Sequence, residues 1–141
     1  MAEEAAGFRE IDHTADWELE IWAPDFEELL TQAAQGMYEM SGIEYGTEVQ
    51  ATRRFELEQP DRETLLVGFL SELLYLLQTA RLAFERFTFE VEQEEDRTVV
   101  SVLAVGQPVK SIEKEIKAVT WHDISVRETD EGFEGRVTFD V

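Results

Sequence analysis

The chain has no cysteine among its 141 residues. Disulfides, thiolate nucleophiles, zinc fingers and iron–sulfur clusters are excluded together. Basic residues are scarce: 12 Lys and Arg stand against 32 Asp and Glu, for a formal net charge of −20. Such a surface repels a phosphate backbone, so no direct nucleic-acid binding is expected; cation binding and docking onto a basic protein are. A salt-adapted proteome would carry the same acidic excess, so charge alone names no partner. No run approaches the ~18–20 apolar residues of a membrane span. The opening Met1-Ala2-Glu3-Glu4-Ala5-Ala6-Gly7 lacks the apolar stretch of a signal peptide. A cytoplasmic protein without membrane contact is the expectation. Internal repeats, low-complexity tracts and linkers are absent too, as are a P-loop, a G-x-G-x-x-G and a G-x-S-x-G elbow.

What is present folds. A hydrophobic content of 43% and an aromatic content of 11% argue for a globule rather than a disordered acidic chain. The length suits one domain over residues 1–141. Pro24-Asp25 opens a helix, with Glu28 at the capping-box spacing from Asp25. Phe26, Leu29, Leu30, Ala33, Ala34 and Met37 form its apolar stripe, and Ser41-Gly42 ends it. Pro60-Asp61 opens a second helix with the stripe Leu65, Leu66, Phe69, Leu70, Leu73, Leu74 and Leu77, expected at the centre of the core. Strands are read at 8–11, from Trp17 to Trp22, at about 48–58, across Phe87, Phe89 and Val91, at 98–105, at 116–127 and at 133–141. Residues 106–115 read as a loop, and 129–132 as a hairpin turn. The pattern predicts an α+β fold, a two-layer α/β sandwich with two helices packed on one face of a mostly antiparallel sheet.

Two constellations carry candidate chemistry. Asp12, His13 and Asp16 lie between two strands. Side chains in such a turn commonly serve the neighbouring backbone N–H groups. Asp16 also continues the parity of Glu18 and Glu20, which suits a shared polar face with Asp140 in the last strand. If Val141 ends the chain, its α-carboxylate adds a further anionic group, and oxygen-only donors suit hard cations such as Ca²⁺ or Mg²⁺. A solvated acidic tail is the alternative. The second constellation is Lys117, His122 and Asp123. Lys117 and His122 lie on opposite parities, unlike a nucleophilic triad. His122 shares parity with Ile124 and Val126, which suits a partly buried structural histidine as well as a functional one.

Three segments carry a resemblance. Phe8-Arg9-Glu10-Ile11-Asp12-His13-Thr14-Ala15-Asp16 resembles the opening of the archease family, Glu115-Ile116-Lys117-Ala118-Val119-Thr120-Trp121-His122 its K-A-V-T-Y-H segment, and Gly135 to Val141 its ending. Trp121 stands where the family has Tyr, and the basic stretch after Gly106 departs from the family's loop. The resemblance implies a small α/β protein that is not an enzyme but an activator of an RtcB-type RNA ligase, promoting its guanylylation and multiple turnover in tRNA splicing. It implies a divalent metal ion, Ca²⁺ with Mg²⁺ or Mn²⁺ as alternatives, on Asp16, Asp140 and the Val141 carboxylate. Lys117 and His122 match further recurrent positions and would sit near that site; with Asp12 and His13 they are the partner or nucleotide-site candidates. The rival readings are a small metal-dependent hydrolase using Asp16, His122 and Asp140, and a chaperone-like binding module, which would need an exposed apolar patch.

Overall fold

Both helices start where an aspartate follows a proline. The computed structural model describes residues 5–12, 16–46 and 49–141, with only the backbone of Asp12. The elements run β1 (Gly7–Asp12), β2 (Trp17–Ala23), α1 (Phe26–Ser41), β3 (Ile43–Tyr45), β4 (Ala51–Gln59), α2 (Arg62–Ala80), β5 (Leu82–Gln93), β6 (Thr98–Ile112), β7 (Ala118–Thr129) and β8 (Gly132–Asp140). Asp25 caps α1 by accepting from the Glu28 N–H at 2.8 Å. The reciprocal half of the capping box is not made, because the Glu28 carboxylate accepts from the Gln32 amide at 2.9 Å instead. Asp61 caps α2 in the same way, accepting from the Thr64 N–H at 2.8 Å.

Every strand pairing is antiparallel. The α+β architecture expected from the sequence is present, with the strands divided between two four-stranded sheets. The first has the order β1-β2-β8-β7. In the second, β6 pairs with β4 and β5 along its first half and with β3 along its last residues. Helix α1 lies on β1, β2 and β8, and α2 on β7, β4 and β5. Both predicted stripes face the core: Leu29, Ala33 and Met37 on α1 and Leu65, Phe69 and Leu73 on α2 are buried, and Phe26 is half-buried. Phe69 meets Phe87 edge-on, with ring centroids 5.3 Å apart. One hydrophobic cluster thus takes in both helices and both sheets.

Three features depart from the sequence reading. The stretch 106–115 is not a loop over most of its length: β6 continues to Ile112. Pro108 lacks a donor, but its carbonyl accepts from the Gly46 N–H at 3.0 Å. Val109 donates to the Arg81 carbonyl at 2.7 Å, so the ladder survives the proline. Second, β7 is interrupted. Its pairing with β8 runs to Thr120↔Thr138 and resumes at Ser125↔Arg136, leaving Trp121 to Ile124 as a bulge opposite Val137. Asp123 holds φ at 54° within it. Third, Glu18 is not on a solvated polar face. It is buried, opposite Thr138, because the Arg136 guanidinium on β8 reaches it at 2.8 Å and bonds Glu20 as well.

Candidate functional site

The segments carrying Asp16, Asp140 and Lys117 come together at one end of the first sheet. The last ladder pair between β2 and β8 is Trp17↔Phe139. Asp16 immediately precedes it and Asp140 immediately follows it, so the two aspartates flank the same rung on neighbouring strands, which run about 4.8 Å apart. Phe139 is buried and Asp140 exposed. Asp16 is half-buried.

The third segment arrives through β7. Ala118 pairs with Asp140, and the Lys117 N–H donates to the Asp140 carbonyl at 2.7 Å. The Lys117 side chain is exposed, and Val141 packs partly buried against the core. A further anchor fixes this strand entry. Ile116 is buried, and the Gln78 amide in the last turn of α2 donates to its carbonyl at 3.0 Å. Sequence reasoning missed Gln78, since a polar residue on a helix shows no periodic sign of a partner 38 residues away. A cavity of about 210 Å³ opens beside it, lined by Leu74, Leu77, Ile116 and Lys117 among others. Lys114 lies over the Trp17 ring, 4.5 Å from its centroid. Asp16, Asp140 and Lys117 therefore share a corner built from β2, β7 and β8.

His122 lies further along β7. It sits on the β7 bulge, beyond the Thr120↔Thr138 rung. Its side chain is 71% exposed and faces the Asp123 carboxylate at 3.2 Å, while its N–H donates to the Thr120 hydroxyl at 3.2 Å. The shared parity with Ile124 does not bury it, because the bulge breaks strand alternation between them. Trp121 beside it is 58% exposed. Asp12 ends β1 opposite Trp17, so its backbone lies at the same end of the sheet; its side chain and the whole of His13 lie outside the described residues. Among the described residues, no three His, Asp or Glu side chains gather closely enough to hold a metal ion. A cation at this corner would take two aspartates and draw its remaining oxygens from elsewhere. Exposed large apolar side chains, Tyr75, Val91 and Trp121 among them, come from separate elements, α2, β5 and β7. Among the described residues, no helix is long and apolar enough to cross a membrane.

The profile of the Archease protein family (MTH1598/TM1083) matches residues 8–141. The protein archease of Methanosarcina barkeri is 30% identical over 146 residues, covering 100% of both chains. That of Archaeoglobus fulgidus is 32% identical over 135 residues, covering 95% of this chain and 98% of its own. The solution structure of Methanobacterium thermoautotrophicum protein 1598 superposes with a TM-score of 0.75 at 28% identity, covering 96% of this chain and 99% of that one.

Proposed function

Because the chain belongs to the archease family, we propose that it acts in the cytoplasm as an activator of an RtcB-type RNA ligase. In this reading it promotes guanylylation of the ligase and its multiple turnover in tRNA splicing, and performs no ligation itself. The observation that carries the reading is the Lys117–Asp140 backbone bond. It joins two of the three family-like segments into one exposed charged corner, and Asp16 of the third flanks the same rung.

The donor set fits a hard divalent cation: Asp16, Asp140 and, where the chain ends at Val141, its carboxylate are all oxygen ligands. Ca²⁺ is favoured, with Mg²⁺ or Mn²⁺ as alternatives. Two side chains and a terminus fall short of the roughly 6–8 oxygens Ca²⁺ takes, so water or the partner's phosphates complete the shell. A bound cation would supply positive charge for phosphate oxygens. Lys117 supplies a second positive charge at the same corner, suited to orienting an anionic triphosphate. The net charge of −20 favours encounter with a basic RNA-binding cleft.

The hydrolase reading needs Asp16, His122 and Asp140 around one reacting centre. His122 on its bulge, facing Asp123, weighs against it. The test is a multiple-turnover ligation assay with the cognate ligase limiting. Product should accumulate beyond one equivalent of ligase only when this protein is added. Equal product with and without it rejects the activator reading, and turnover by this protein alone favours the hydrolase.

A further inference from the structure

A second cleft, sharing no residue with the corner above, opens at the C-terminal end of α1. Its volume is about 730 Å³, and Tyr38, Glu39, Tyr45, Phe84, Glu85 and Glu113 are among its walls. Glu39 comes from the last turn of α1, which carries no basic residue. Glu113 is drawn to the same helix end because its N–H and that of Lys114 donate to the Ser41 carbonyl, each at 3.0 Å. The carboxylate of Glu113 then lies over Gly42, where a Cβ would come within 2.7 Å of its Oε2. Two carboxylates thus face the negative end of a helix dipole, where cations are favoured. Glu85 is the extra residue of a β5 bulge between Phe84 and Arg86, which presents it to the cleft. Its carboxylate faces the Tyr45 hydroxyl. Among the described residues, none of these three glutamates has a cationic partner.

The floor adds an independent sign. Tyr38 is only 6% exposed and lines the cleft, yet its hydroxyl makes no hydrogen bond. The Phe84 N–H faces the phenol oxygen without reaching hydrogen-bond geometry, and the phenol proton has no acceptor. A buried donor without a partner is costly and calls for an explanation.

We propose that this cleft receives an arginine side chain from a basic segment of a partner protein. The carboxylates do not converge on a metal-sized point, so the ligand must spread its donors over several angstroms. A guanidinium does so with five N–H groups in a planar fork, and it stacks on a ring face of the kind the half-buried Tyr45 provides. It has no acceptor of its own. The peptide carbonyl that accompanies an arginine residue supplies the acceptor the Tyr38 proton lacks. The inference is independent of the ligase reading, and its test contains no ligase.

The probe is N-acetyl-arginine amide, titrated at about 0.15 M salt, where diffuse attraction is largely screened, and followed by the ring resonances of Tyr38 and Tyr45. N-acetyl-citrulline amide, neutral and nearly isosteric, is the comparison. The arginine compound should bind saturably and the citrulline compound roughly tenfold more weakly, in line with hydrogen bonds to a charged group. Glu85→Gln and Glu113→Gln, both at exposed positions that leave the core intact, should each raise Kd several-fold. Glu92→Gln, exposed on β5 outside the cleft, should not. Tyr38→Phe, which removes the unpaired hydroxyl, should weaken the probe without loss of stability. Equal binding of the two compounds, wild-type affinity in both cleft glutamate variants, or shifts spread evenly over the acidic surface would each overturn the proposal.

Discussion

Lys117 and Asp140 are joined through their backbones: the Lys117 N–H donates to the Asp140 carbonyl at 2.7 Å, one residue before Ala118 pairs with Asp140. Both side chains remain exposed. The backbone holds the corner and leaves the charges free for a partner, so the two roles separate by mutation. Lys117→Ala keeps the N–H and should change stability by no more than about 0.5 kcal/mol, while lowering ligase stimulation roughly tenfold. Asp140→Ala should behave alike. Lys117→Pro removes the donor and should cost about 1 kcal/mol or more. Urea melts beside ligation assays check all three; full stimulation by Lys117→Ala would remove it from the site.

A cation held at the proposed Asp16 and Asp140 site would bind the folded chain only, so it would stabilise by mass action. At a free concentration about a hundredfold above Kd, the gain is about 2.7 kcal/mol. Thermal melts with Ca²⁺, Mg²⁺ or Mn²⁺ should therefore shift upward, most with Ca²⁺. Asp16→Asn and Asp140→Asn should abolish the shift while leaving the metal-free melt in place. An equal shift in both variants would assign the effect to the diffuse acidic surface.

The parts of this fold that were legible in the sequence are those whose signals are local. The stripes of α1 and α2 and their Asp25 and Asp61 caps depend on neighbours within a few residues, and they formed as read. Leu73 is fully buried in the second stripe. Leu73→Ala should cost about 2–5 kcal/mol, measured by denaturant unfolding; a loss near zero would mean the site collapses around the smaller side chain.

What stayed hidden depends on partners far along the chain. Strand parity placed His122 with Ile124, but the bulge is set by where β8 resumes pairing at Arg136. Glu18 read as a surface residue because nothing nearby announces Arg136, which bridges it to Glu20 from another strand. The pairing of Lys117 with Asp140 is equally remote. The resemblance of the segments names these residues, but local physics alone does not bring them together.

Alkaline titration probes the cleft. Burial, and then the Glu85 carboxylate, push the Tyr45 hydroxyl from its ordinary 10.0 up to about 12. A raised folded-state value means that this group's contribution is complete below pH 10 and fades as pH rises toward 12. Discounted for the half-exposure of the ring, the contribution is on the order of 1 kcal/mol. Tyr45→Phe should flatten the fall in stability between these pH values and remove a late tyrosinate absorbance rise. An unchanged alkaline slope would show that Tyr45 ionises without hindrance.

At Gly106 the backbones of β5 and β6 leave no room for a side chain. It pairs with Ala51 on one side and Phe84 on the other, next to the bulge that turns Glu85 outward. A Cβ at residue 106 would run into the Ala83 carbonyl and come within 2.5 Å of the Phe84 Cα. These are backbone atoms, so no side-chain rotation relieves the overlap, and the strands would have to part. Gly106→Ala should therefore cost about 3 kcal/mol, the upper end of what overpacking exacts. The damage should be directional: amide exchange should quicken first at Ala83 to Arg86 and in the facing residues of β6. The Lys117–Asp140 corner belongs to the other sheet and should keep its protection until global unfolding. If exchange rises equally in both sheets, the close approach is not a local constraint. If Gly106→Ala is as stable as wild type, the close approach of the two strands is wrong.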